Sequence, residues 1–428
     1  MMHKLVSIVF VAFLMFGCSH VPTMRQSALS TSHPSRVRDQ IVQSGNGSMW
    51  LSLFPPQPPN GGSPNSITPG PDGKMWFTLS SGQLNSSVVG NVDMSGTFVE
   101  YPVSGYPIQI TTGSDGAVWF TETPFIGRIT TSGVLTEFRI KSRRTYPYGI
   151  ALGADGNIWF TDRGTTSIGK ITPKGVITEY NLNGPDAVEI TGGSDGNLWF
   201  VLPQANQIGR ITPRGHFAFF GIPSSEATPE DIALGSDGHL YFTEWRTGKI
   251  GEITRTGKIT EYALPGTEYE PLGITQGISG NSMWYDNSDV RTHNSGLGQF
   301  LIRSKRFLPP DVPPSANQPL QYLHYGPDGN IWVPDASGSI LILLTRVLTS
   351  NPASVEISGV GQNQTVQIHE TLNKGGAYTA VSSDQSIATA GPVNQANLFV
   401  VTAQGVGSCT IRVSDSIGNY IDVPVTVQ

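Results

Sequence analysis

Apolar residues in this chain come in short runs closed by Gly, Pro, Asp and Thr, and one such run recurs with its flanks intact. GSDGAVWFTE at 113–122 returns as GADGNIWFTD at 153–162, GSDGNLWFVL at 193–202 and GSDGHLYFTE at 235–244, with flanking copies GPDGKMWFTL at 70–79 and GPDGNIWVPD at 326–335. A looser copy, ISGNSMWYDN at 278–287, fills the remaining interval. The aromatic anchors are Trp76, Trp119, Trp159, Trp199, Tyr241, Trp284 and Trp332, spaced 43, 40, 40, 42, 43 and 48 residues apart. A unit of this length holds several short strands and cannot bury both of its faces alone, and stacking such units around an axis is how a β-propeller buries them. The expected fold is all-β, with a seven-bladed β-propeller over 45–347.

Punctuation within each unit predicts four strands. Asp-Gly pairs such as Asp155-Gly156 read as two-residue hairpin turns. The next run, Ile158-Trp159-Phe160, is apolar at every position and suits a strand covered on both faces. A third strand reads Ile168-Gly169-Lys170-Ile171 and ends in Thr172-Pro173-Lys174-Gly175, where Pro presets φ and Gly permits a left-handed exit. The fourth runs from Val176 to Tyr180. Arg128 with Glu137, and Lys170 with Glu179, are expected as cross-strand ion pairs. After Trp332 the chain supplies one more strand, over 340–347, and no outer one. Residues 48–54 have outer-strand spacing with no inner strands of their own, so they are expected to complete the last blade and leave no open edge.

The two ends read differently. Residues 1–18 carry Lys4, an apolar run from Leu5 to Phe16 and then Gly17-Cys18, too short for a permanent membrane span and suited to a signal peptide. Its ending resembles a bacterial lipobox, which implies lipidation of Cys18, with an ordinary secretory peptide cleaved nearby as the alternative. Residues 19–44, rich in Ser, Thr, Arg and Gln, read as a flexible tether. Short strands such as Val366-Gln367-Ile368 and Leu398 to Val401 make 351–428 a small β-sandwich, and its SDSIGNYIDVPVTV ending at 414–427 resembles the last hairpin of bacterial immunoglobulin-like modules.

Composition narrows the classes. Charged residues are 14% of the chain, and Gly and Pro number 50 and 31, which excludes a coiled coil or helical bundle. A net charge of −6 argues against a nucleic-acid footprint. The two cysteines, Cys18 and Cys409, have no partner at metal-ligand or CxxC spacing.

The unit x-P-x-x-I-T-x-G-x-D-G-x-L-W-F-T-E, followed by I-G-R-I-T-x-x-G-x-I-T-E-Y, resembles the streptogramin B (virginiamycin B) lyase family over about 48–347. The resemblance implies a seven-bladed propeller and an activity that opens the ester ring of a cyclic depsipeptide by elimination, assisted by Mg²⁺. It also implies catalytic histidines directly after the proline that opens an innermost strand, with a nearby glutamate holding the metal. Aligned on the following turn, those base positions are Asn65, Ile108, Tyr148, Val188, Glu230, Leu272 and Gln321, and none is a histidine. Glu270-Pro271 matches the metal-holding glutamate and its proline, with Leu272 where a base is required. Glu270 is accordingly the candidate Mg²⁺ ligand.

Inner-strand starts and Trp-strand ends should emerge on one face of the disc. That face would gather Tyr148, Glu230, Glu244, Arg246, Tyr269 and Glu270 as ligand-binding candidates, beside Glu122, Asp162, Glu189 and Asp231, with His293 on an insertion at 289–294 overhanging it. His216, His239 and His324 fall outside the family's histidine position. The expectation is an extracytoplasmic, lipid-anchored, monomeric propeller that binds a small cyclic, peptide or glycan ligand with weak or no catalysis, touching the membrane only through its anchor. Two alternatives stand: a depsipeptide lyase with a rearranged base, and an envelope interaction protein.

Overall fold

The computed structural model describes residues 40–43, 49–53, 63–81, 87–93, 97–266, 269–277, 282–289, 295–311, 322–327, 330–335, 339–344, 348–352, 354–370, 378–394, 397–414 and 420–428. Within them the chain forms a seven-bladed β-propeller followed by a small β-sandwich. Six antiparallel blades follow one another over 63–102, 106–139, 147–181, 190–221, 229–263 and 269–311. Blade 3 shows the plan: Pro147–Leu152 is innermost, then Ile158–Asp162, Ser167–Ile171 and Ile177–Asn181 outward. Blade 7 takes His324–Tyr325, Ile331–Asp335 and Ser339–Leu344 from the end of the propeller and Met49–Leu53 from its beginning, with Leu51 opposite Ile342. Gln40–Gln43 adds a fifth strand to that blade, so the tether expected over 19–44 ends earlier than its composition indicated.

Each anchor fills the interface between its own blade and the next. Trp76 packs with Ile110, Val118 and Phe120 of blade 2, Trp159 with Leu198 and Phe200 of blade 4, and Tyr241 with Met283 and Phe300 of blade 6. Trp332 of blade 7 packs with Ile67, Phe77 and Val92 of blade 1, which closes the ring. An indole buried between two sheets contributes several kcal/mol: truncating such a Trp to Ala costs about 3–5 kcal/mol.

The third-strand glycine is dictated by this packing. A Cβ on Gly169 would lie 2.0 Å from Phe160 Cζ, and Gly127, Gly209 and Gly251 meet Phe120, Phe200 and Phe242 in the same way. The Asp-Gly turns are longer than the expected two-residue type. Gly156 N donates to Gly153 O, Gly153 N donates to Asn157 O, and only the glycine takes a positive φ, 75°. Asp155 is held otherwise, its Oδ1 accepting the Trp159 indole N–H at 3.1 Å.

The expected ion pairs are replaced by others. Gly127 stands opposite Glu137 and Gly169 opposite Glu179, so Arg128 and Lys170 project from the other face. Arg128 pairs with Asp115 at 2.7 Å over the Trp119 ring, while Lys170 lies over Trp159 and donates to Pro213 O. In the sandwich, two four-stranded sheets share a core that includes Val366, Phe399, Ile411 and Val423. Cys409 is a buried member of that core.

Candidate functional site

Four of the inner strands begin with an irregularity. The register shifts between Pro64 and Ser66, Pro107 and Ile110, Pro147 and Ile150, and Pro229 and Ile232. Such bulges re-aim consecutive side chains and recur at functional sites. Here they separate two rings of residues. The first is the set of base positions. The second, one residue on, consists of Ser66, Gln109, Gly149, Glu189, Asp231, Gly273 and Tyr322.

A threonine locks this geometry from blade to blade. Thr121 Oγ1 accepts Gln109 N–H in its own blade at 3.0 Å and donates to Tyr148 O in the next at 2.7 Å. Thr78, Thr161 and Thr243 donate likewise to Ile108, Val188 and Leu272 carbonyls. Blade 6 puts Asp286 there instead, and its buried Oδ1 accepts both Leu272 and Gly273 N–H at 2.6 Å.

Between blades 1 to 3 a cavity of about 380 Å³ opens at the mouth, lined by Tyr106, Tyr146, Tyr148 and Tyr322 with Asn65 and Ile108. Below it an axial cavity of about 210 Å³ is lined by Gln109, Glu189, Asp231, Tyr322 and His324. Tyr322 borders both, and its hydroxyl meets that of Tyr148 at 2.6 Å. Its φ of 51° is rare for a bulky residue and is the kind of strain a functional site retains. A polar chain crosses the axis: Ser66 Oγ donates to Gln109 Oε1, and Gln109 Nε2 donates to Glu189 Oε1 at 3.0 Å. Gly149 lets the next inner strand approach closely, since a Cβ there would meet Val188 O at 2.5 Å and lie 3.2 Å from Glu189 Oε2.

Burial sets the electrostatics. It pushes Glu189 well above the usual carboxylate range, helped by the charges of Asp231 and Glu230, and it raises Asp231 to about 6. Burial also raises Glu230 to about 7, with Arg163 opposing and Asp231 adding to the rise. Tyr148 is pushed up to about 12 by burial and by Glu189. His324 is pushed down to about 4 by burial, so its imidazole is neutral at pH 7.

The sequence candidates fall in different places. Tyr148 lines the mouth cavity beneath the Arg163 guanidinium, 5.1 Å from its ring centre, and Arg163 is itself held by Asp186 at 2.7 Å. Glu230 is half-buried near them. Glu244 is fully buried and accepts from Thr247 at 2.7 Å, and Glu122 and Asp162 take loop N–H groups of Gly105 and Tyr146, so these strand-end carboxylates brace loops. Arg246 is exposed, 3.7 Å from Glu226. Glu270 is half-buried and ends the two-residue strand Tyr269–Glu270, opposite Ser288. The side chain of Tyr269, and all of Gln321, His293 and Cys18, lie outside the described residues. Among the described residues, the group of three ligating side chains is Asp237, His239 and Glu252, not a set around Glu270. Glu270 therefore offers a single carboxylate, and a Mg²⁺ ion held there would take its remaining ligands from water or a bound ligand.

A sequence model of the virginiamycin B lyase family matches residues 56–343. The chain belongs to that family. Among solved structures, a streptogramin B lyase is 31% identical over 69% of this chain and 96% of its own, with a TM-score of 0.61. A Staphylococcus aureus virginiamycin B lyase, solved with quinupristin as a catalytically inactive histidine-to-alanine variant, is 32% identical over 69% of this chain and 98% of its own, with a TM-score of 0.62. The extracellular domain of a Bacteroides thetaiotaomicron putative hybrid two-component system shares the fold at 13% identity and a TM-score of 0.56, over 91% of this chain and 62% of its own. No curated protein matches the chain. Against this family background, Gln109 and Tyr322 are the residues the sequence reading passed over, whereas Glu189 was already expected at this face. They stand one position beyond the base positions, and reading the repeat one column further would have brought them out.

Proposed function

We propose that this member of the virginiamycin B lyase family is a binding propeller, which holds a small cyclic, peptide or glycan ligand at its tyrosine-lined mouth with little or no elimination. The observation that carries this reading is the set of base positions: Asn65, Ile108, Tyr148, Val188, Glu230, Leu272 and Gln321 supply no imidazole. The related S. aureus enzyme is described as inactive once a histidine is removed, which supports the same conclusion. General acid–base catalysis contributes about 10²–10⁴-fold, so losing the base removes most of the rate while leaving ground-state binding nearly intact. The test is ligand binding and ring-opening of a cyclic depsipeptide, measured in the parent, in Glu270→Gln and in Leu272→His, each with and without Mg²⁺. Binding without turnover by the parent is expected. Robust ring-opening by the parent overturns the proposal, and an unchanged Mg²⁺ titration in Glu270→Gln removes Glu270 as a cation ligand.

A second reading rests on Glu230, a base-position carboxylate with its pKa raised to about 7. It is poised to accept a proton near neutral pH. On this reading ring-opening rises with pH through about 7 and is abolished in Glu230→Gln. We further propose that the protein is exported and anchored through Cys18. Among the described residues, no helix is long and apolar enough to cross a membrane.

A further inference from the structure

The reverse face of blade 5, at the hairpin opposite the mouth, departs from its neighbours at three positions together. In blades 3 and 4 the turn aspartate Oδ1 accepts the Trp N–H, its Oδ2 accepts the amide of Asn157 or Asn197, and a third-strand cation lies over the ring. Lys170 and Arg210 are those cations, directly opposite Trp159 and Trp199. In blade 5 the asparagine is His239, the tryptophan is Tyr241 and the cation is Glu252, opposite Tyr241. Where Arg210 stands 3.7 Å from Asp195, blade 5 sets a second carboxylate beside Asp237.

The ring still receives a cation, but from the next blade. Lys305 Nζ lies 5.3 Å from the Tyr241 ring centre and donates to Glu252 Oε2 at 2.8 Å, and Tyr262 OH donates to that same oxygen at 2.7 Å. With Oε2 engaged, Oε1 faces His239 Nδ1 at 2.5 Å, and Asp237 Oδ2 lies 3.6 Å from that nitrogen. Tyr241 OH donates to Asp237 Oδ2 at 2.7 Å and orients it. These hydrogen-bonded carboxylates have the outer support that ligating groups need. The His239 and Asp237 side chains are 35% and 29% exposed, which leaves a path for an ion and a place for water.

We propose that Asp237, His239 and Glu252 form a zinc-class transition-metal site that clips the blade 5 hairpin to its third strand, as the Arg128–Asp115 pair does in blade 2. One imidazole nitrogen and two carboxylate oxygens, with water in the fourth position, suit Zn²⁺ and disfavour Mg²⁺. Ligand atoms about 2.05 Å from a tetrahedral ion lie about 3.3 Å apart, near the 3.6 Å already present. The 2.5 Å contact must open by roughly 0.8 Å, which the half-exposed His239 ring permits. Binding takes the Nδ1 lone pair, so the ring binds as its neutral Nε2–H tautomer: a neutral ring carries the Nδ1 proton over to Nε2 through solvent, and a doubly protonated ring releases one proton.

The test is calorimetric titration of the full chain with ZnCl₂ alone, in the parent, His239→Asn and Glu252→Gln. His239→Asn installs the residue that blades 3 and 4 already carry, so the variant folds. The parent is expected to bind one equivalent more than His239→Asn. Losing an outer partner of a metal ligand costs about 10–100-fold in affinity, so losing a ligand should cost about 100-fold or more in either variant. Co²⁺ added to the parent should give visible absorption bands that His239→Asn lacks. Equal zinc stoichiometry in parent and His239→Asn, or no binding by the parent, overturns the proposal. The mouth lies on the opposite face, so neither result bears on the binding function proposed for it.

Discussion

Thr121 makes the threonine bridge testable at one atom. Thr121→Val keeps the shape and removes the hydroxyl, leaving the Gln109 N–H and the Tyr148 carbonyl without the partners they have at 3.0 and 2.7 Å. Thr121 is fully buried, so water cannot replace the lost bonds. An unsatisfied buried polar group costs about 1–3 kcal/mol, so two cost roughly 2–6 kcal/mol. Thr121→Ser keeps both bonds and loses one methyl, about 1 kcal/mol. The assay is equilibrium unfolding in guanidinium chloride followed by tryptophan fluorescence. All 8 tryptophans precede residue 347, so this signal reads the propeller and not the sandwich. The expected order of stability is parent, then Ser, then Val. A Val variant as stable as the Ser variant would refute the bridge as an energetic link between blades.

The pH dependence should be inverted relative to a salt-bridged protein. Burial, then the charge of Glu137, raises Glu122 to about 8, so the native state holds this proton longer than the unfolded chain does. Its contribution is fully present below the unfolded value of about 4.5 and is lost as pH climbs through 8. The denaturation midpoint should therefore fall between pH 5 and 8, and Glu122→Gln should make that fall shallower, with the raised Glu230 and Asp231 carboxyls supplying the remainder; a parent profile matching that of Glu122→Gln argues against the raised value. Gly169→Ala forces a Cβ into the Phe160 ring and should cost about 1–3 kcal/mol in the same unfolding assay, with partial rescue by Phe160→Leu. Cys18→Ser should move the protein from the membrane fraction to the soluble fraction on immunoblots, whereas an unchanged distribution removes the lipid anchor.

The blade repeat was legible because its signals are local. Each anchor aromatic, each Gly-x-Asp-Gly turn and each Ile-Gly-Arg-Ile strand owes its identity to contacts within one unit or with the unit beside it. The closing strand was legible from spacing alone. Gln40–Gln43 was not, because four residues gain strand structure only from the partner they meet. The site was less legible than the fold. Glu244 sits at a strand end that points toward the mouth in sequence, yet it is drawn inward by Thr247. Arg163 reaches Tyr148 from a loop after its own blade's Trp strand. Tyr322 crosses the axis through a left-handed backbone that no periodicity announces.

The pairing of Leu51 with Ile342 also orders events in time. During synthesis the closing strand and the Gln40–Gln43 strand beside it are the first parts of the propeller to emerge, and the partner at 339–344 is the last. Six blades can form in sequence while Met49–Leu53, paired only with Gln40–Gln43, waits for its inner partner, and the growing stack carries an open edge throughout. Pairing across so long a stretch of chain is paid for in loop entropy before any contact rewards it, so closure is the slow step and the unclosed stack is the species exposed to aggregation. A pull on the N-terminus of the folded protein passes through Gln40–Gln43 and its pairing with Met49–Leu53 directly to this seam, which places the last joint to form among the first to feel a load.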